Sequence, residues 1–81
     1  MNTEAMKQAK STLPLGKYRH FKGGLYELIA IGYDSEDTDR LLAVYRALYG
    51  DRDVWVRPLS MWCEKVEHNG ETIDRFTYIG D

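Results

Sequence analysis

The chain has 81 residues, with 11 Lys or Arg against 13 Asp or Glu, two His and one Cys. That length bounds it to one domain with a limited core. The single cysteine excludes an internal disulfide, and a net charge of −2 excludes a global field drawing the chain onto nucleic acid. A lone thiol suits a reducing compartment and no apolar run approaches membrane-spanning length, so the expectation is a cytoplasmic protein without a membrane partner.

Residues 1–15 read as a flexible N-terminal arm. Ala5, Met6, Ala9 and Leu13 have loose helical spacing, but the stretch is too poor in apolar residues to dock firmly, and Pro14 forces the residue before it out of helical space. Residues 16–81 then form a single small domain. "GKYRHF" alternates, with Tyr18, His20 and Lys22 on one side and Lys17, Arg19 and Phe21 on the other. "KGG" is a turn, and "LYELIAIGY" is an aromatic and aliphatic strand, so the two runs predict a hairpin. "DSEDTD" (residues 34–39) reads as a solvated acidic loop.

"RLLAVYRALYG" (residues 40–50) has two readings. Leu41, Tyr45, Leu48 and Tyr49 fit one face of a helix capped by Thr38 and Gly50. As a strand, Leu42, Val44, Arg46 and Leu48 share one face and Leu41, Ala43, Tyr45, Ala47 and Tyr49 the other. Periodicity alone slightly favours the helix. "VWVRP" is a strand by β-branched and aromatic content, ended by Pro58. A short helical turn is expected near 58–63. Asn69-Gly70 between two alternating runs predicts a hairpin with a type I′ turn.

The strings "YRHFKGG", "VYRALYGD", "WVRPLSMW" and "RFTYI" together resemble the small bacterial family known as domain of unknown function 1653, over about Lys17 to Ile79. Departures from the family pattern are few: Ser60 and Trp62 stand where it has an acidic residue and Phe, and Asp74 where it has a proline. The resemblance implies a bacterial source and no established activity. It also implies a valine pair before the Tyr-x-x-Leu-Tyr-Gly segment, and β-branched pairs favour strand. On that basis residues 40–49 are read as a strand that pairs through "GDRD" with Val54 to Arg57. The fold expected is mainly β, a small, partly open, SH3-like antiparallel barrel of about five strands.

The residues exclude several kinds of chemistry. Cys63, His20, His68 and Glu64 lack the close paired spacing of a structural metal site, and residues 34–39 lack the glycine and terminal Glu of a calcium loop. No nucleophile elbow, phosphate loop or cofactor fingerprint is present. The expectation is a protein that is not an enzyme, with no catalytic residues, no metal and no cofactor. It is read as a binding module for a peptide or protein, monomeric or weakly dimeric. Arg19, His20, Tyr49, Trp55 and Arg57 are the candidate ligand-binding residues, because large aromatics and Arg dominate binding surfaces. For Arg57 the competing fate is internal pairing with Asp51 or Glu64. One alternative is weak single-stranded nucleic-acid binding, with aromatics and cations interleaved over Tyr18–Lys22. A second is an accessory part of an enzyme complex.

Overall fold

The computed structural model of the chain describes residues 3–80; Met1 and Asn2 of the expected arm, and Asp81 of the domain, lie outside them. In chain order the elements are α1 (Thr3–Thr12), β1 (Gly16–His20), β2 (Leu25–Asp34), β3 (Asp37–Ala47), β4 (Val54–Pro58), α2 (Leu59–Trp62), β5 (Lys65–His68), β6 (Glu71–Asp74) and β7 (Phe76–Gly80). One antiparallel sheet has the order β4-β3-β2-β1-β7, and β5 and β6 form a two-stranded sheet of their own. The mainly β expectation is met, and so is the short helix near 58–63; the strand read over residues 40–49 forms as far as Ala47, with Leu48 and Tyr49 in the loop that follows.

The partly open, SH3-like barrel that was expected is not what forms: the main sheet is open. β4 and β7 stand at opposite edges of the five-stranded sheet. The reason is local: Pro58 ends β4 and opens the turn of α2, and the next strands, β5 and β6, pair with each other. Their turn residues Asn69 and Gly70 have φ of 54° and 81°, the positive pair that a type I′ turn requires. The acidic stretch is largely exposed, as expected, but it is a tight turn between strand ends rather than a loop. Asp34 pairs with Asp37 across a tight turn, and Asp37 and Asp39 already belong to β3. Asp34 Oδ1 accepts from the Glu36 N–H at 2.9 Å and Asp37 Oδ1 from the Asp39 N–H at 3.1 Å, so the carboxylates shape the turn rather than hang free of it.

β3 organises the core. From Leu41 on, its odd-numbered residues Leu41, Ala43, Tyr45 and Ala47 are buried and its even-numbered ones are half-exposed, the period-2 signature of a sheet covered on one face. In β2 a register shift between Leu28 and Ala30 puts Ile29 in the bulge, so that Leu28 and Ile31 both face that core. Trp62, on α2, is the centrepiece. Its ring stacks on Phe76 at 3.7 Å with a 6° interplanar angle, meets Tyr18 edge-on at 5.2 Å and lies 5.0 Å from Tyr45. Its indole N–H has no acceptor among the described residues. That unmade bond costs roughly 1–3 kcal/mol, against roughly 3–5 kcal/mol lost when a packed Trp is truncated.

The N-terminal segment departs from the arm reading. Thr3–Thr12 is an α-helix, and Met6 enters the core beside Leu41, with Ala5, Ala9 and Leu13 packed against it. Ala, Met, Lys and Gln favour the helix. Thr12 Oγ1 and Ser11 Oγ donate back to the carbonyls of Gln8 and Lys7 in its last turn. The tie to the sheet continues past Pro14, whose carbonyl accepts the Tyr18 hydroxyl at 2.6 Å. Met6 and Leu13, with two alanines between and beside them, are sufficient for the segment to pack against the core.

Candidate functional site

The β3–β4 hairpin sets the site. Its register pairs Tyr45 with Trp55 and Ala43 with Arg57, so these four side chains share one face of the sheet. The connecting loop turns back over that face, with positive φ at Gly50 (59°) and Arg52 (57°). A pocket of about 320 Å³ results, at the small end for ligand sites. Tyr26 and Tyr45 line it from the sheet, Trp55 and Arg57 from β4, and Tyr49 with Asp51–Asp53 from the loop.

Its aromatic floor is cross-braced. The Tyr26 and Tyr49 hydroxyls share a hydrogen bond at 2.6 Å, and the Tyr26 ring meets Tyr45 and Tyr49 edge-on at 5.6 and 5.5 Å. Burial, then the bond to Tyr49, push the Tyr26 phenol up to about 12, so it remains a neutral hydrogen-bonding group at physiological pH. Gly24 makes room for this pair: a Cβ there would lie 3.2 Å from Tyr26 Cε2. The rim is open, with Trp55 56% and Tyr49 54% exposed.

Arg57 is half-buried and held from several directions. Its Nε donates to the Tyr45 hydroxyl at 3.0 Å, and its Cζ lies 5.5 Å from the Tyr45 ring centroid and 5.6 Å from that of Phe76. Among the described residues no carboxylate lies within ion-pair distance of it. The internal pairing expected with Asp51 or Glu64 is therefore not made. Glu64 instead accepts from Arg75 Nη2 at 3.1 Å.

Of the five residues predicted from sequence, the fold brings Tyr49, Trp55 and Arg57 together and leaves Arg19 and His20 outside the pocket. Both line a second hollow of about 290 Å³ with Phe21, Ile73 and Thr77. His20 touches the aromatic cluster from that side, with its ring 5.0 Å from Phe76. Burial lowers the His20 pKa from 6.5, and the nearby cations of Arg75, Arg57 and Lys22 lower it further. The neutral ring suits its one bond, because Nδ1 accepts the Lys22 N–H at 3.2 Å. Tyr26, Tyr45 and Asp53 were missed. The signal for Tyr45 was present in the strand reading, which placed it on the same face as Tyr49; the observed register is what sets it opposite Trp55. Tyr26 follows only from the β2–β3 register, which pairs it with Ala47.

Cys63 is half-buried, and burial followed by the Asp74 charge raises its pKa, so the thiol stays protonated and is a poor nucleophile. Among the described residues no three His, Cys, Asp or Glu side chains gather as a metal site, and no helix is long and apolar enough to cross a membrane.

Fold and pocket together define a class: a small open-sheet domain with an arginine set among aromatic rings beside a free strand edge. Residues 16–78 match the family described as a protein of unknown function, DUF1653, and the chain belongs to that family. A solved structure agrees: the chain is similar to a DUF1653 protein from Bordetella bronchiseptica, with 32% identity over 89% of this chain and 94% of that one, at a TM-score of 0.79. No curated protein matches the chain.

Proposed function

We propose that this protein is a non-catalytic binding module that takes an extended, carboxylate-bearing peptide or protein segment on the Tyr49–Trp55–Arg57 pocket. The observation that carries this reading is Arg57: a guanidinium oriented by a hydroxyl and two rings, with donors to spare and, among the described residues of its own chain, no acid within ion-pair distance. Such a fork is suited to bidentate capture of a carboxylate. The exposed Trp55 and Tyr49 beside it supply large contact area at low entropy cost. Aromatic-lined grooves of this kind take extended ligands in SH3 domains, which supports the reading by analogy of lining alone. The test is calorimetry with a panel of short peptides that differ only in one acidic, neutral or basic position. Acidic peptides should bind, and Arg57→Gln should remove the preference. Equal heats for all three, or an unchanged preference in the variant, would refute it.

The nucleic-acid alternative is weakened by one residue. Tyr18, the first aromatic of the Tyr18–Lys22 segment, is 2% exposed and packed edge-on to Trp62, so no base can stack on it.

A further inference from the structure

The edge strand that flanks the pocket carries a pattern that matches itself. β4 and the residue before it read Asp53-Val54-Trp55-Val56-Arg57. Run antiparallel to a second copy, this sequence sets Asp against Arg, Val against Val and Trp against Trp. The same residues are the exposed ones: Val54 is 48%, Trp55 56% and Val56 56% exposed, at a sheet edge with no neighbouring strand among the described residues. Long apolar side chains along a free edge are what folded domains ordinarily avoid.

The hydrogen-bond phase of β4 agrees. The Ala47 N–H donates to the Asp53 carbonyl at 3.1 Å, one step beyond the Arg46–Val54 register pair. By the alternation of antiparallel ladders, Trp55 and Arg57 then bond inward to β3, while the N–H and C=O of Val54 and Val56 point out from the free edge. Pro58 has the same phase, so the N–H it lacks would have faced outward and the ladder to β3 loses nothing.

We propose that β4 pairs with β4 of a second copy of this chain, antiparallel, about a two-fold axis through Trp55. In that register each Val54 exchanges both backbone bonds with Val56 of the second copy, which uses every outward group of the two valines. Trp55 meets its own copy in the non-hydrogen-bonded position, where side chains lie closest. On the pocket face each Arg57 stands opposite Asp53 of the second copy. Neither residue has an ion-pair partner within its own chain among the described residues, and along one strand they are about 13 Å apart, too far to pair with each other. The interface is isologous and closes on itself. The second copy's Trp55 then adjoins the pocket, and its Asp53 occupies part of the Arg57 fork. Guanidinium has five N–H donors, so the pair with Asp53 leaves some for a ligand.

The test is sedimentation equilibrium on the full chain at roughly 100 µM, a concentration that populates even weak specific dimers. The chain should be a dimer. Asp53→Arg and Arg57→Asp should each weaken it at least about tenfold by placing like charges opposite each other, and an equimolar mixture of the two should restore it. A folded wild-type chain that stays monomeric, or an Asp53→Arg chain as dimeric as the wild type, would overturn the proposal. Arg57→Asp removes the Tyr45 bond, so a second variant reads the register without touching it. Trp55→Cys in a Cys63→Ser background should cross-link chain to chain under mild oxidation, because opposed residues in a non-hydrogen-bonded pair have Cα atoms about 4.5 Å apart, within the roughly 4.4–6.8 Å that a disulfide spans. Failure to cross-link would refute the two-fold at Trp55. Sedimentation reads the dimer and calorimetry reads the peptide, so either idea can fail alone.

Discussion

Replacing Tyr45 by Phe keeps a ring in the core and deletes one atom. The ring packs 5.0 Å from Trp62 and 5.6 Å from Tyr26, contacts that Phe retains. What is lost is the oxygen that accepts Arg57 Nε at 3.0 Å. A hydrogen bond to a charged group contributes roughly 1.5–3 kcal/mol when buried. Arg57 is only half-buried, so water takes over part of the role and about 1 kcal/mol is the expected loss. In a domain of this size about 1 kcal/mol lowers Tm by about 4–8 °C. A double-mutant cycle isolates the pair: Tyr45→Phe, Arg57→Gln and both together, each by urea denaturation. The coupling should be about 1 kcal/mol. Additivity to within about 0.3 kcal/mol would refute the claim that Tyr45 orients the guanidinium.

Met6→Ala should destabilise the fold by about 2 kcal/mol with an unchanged urea m-value, since it empties the place where α1 enters the core; an effect below about 0.5 kcal/mol would mean the helix does not dock. Gly70→Ala forces a side chain onto φ of 81° and should cost about 1–2 kcal/mol in the same assay. His20 has a folded-state pKa below its ordinary 6.5, so the unfolded chain takes up its proton first as pH falls. Its contribution to stability is therefore intact above that value and declines as pH drops below it. The wild type should lose Tm between pH 7 and 5.5 by more than His20→Gln does, and parallel curves would contradict the assignment.

Much of this was legible in the residues themselves. Asn69-Gly70 specified its turn because few dipeptides accept two positive φ values in succession. β4 followed from "VWVRP" by composition. β3 was ambiguous, because helical and strand spacings coincide over Leu41, Tyr45 and Tyr49, and only the valine pair implied by the family resemblance favoured the extended form. The open sheet was not legible, since which strands share an edge depends on pairings far apart in sequence. The docking of α1 was missed for the same reason: Met6 matters through the core residues it joins, and those belong to other elements. At the site, Tyr49, Trp55 and Arg57 came from one local stretch and were found, whereas Arg19 and His20 were grouped with them by residue type alone, and the register of β1 carries them to another hollow.

The most direct measurement is an amide-shift titration of the full chain with an acidic peptide. Shifts should cluster from Tyr49 to Arg57 and at Tyr26 and Tyr45, and they should vanish when the acidic residue is replaced by Lys. Shifts confined to Tyr18–Lys22, or none in the hairpin at saturating peptide, would contradict the assignment of this pocket as the binding surface.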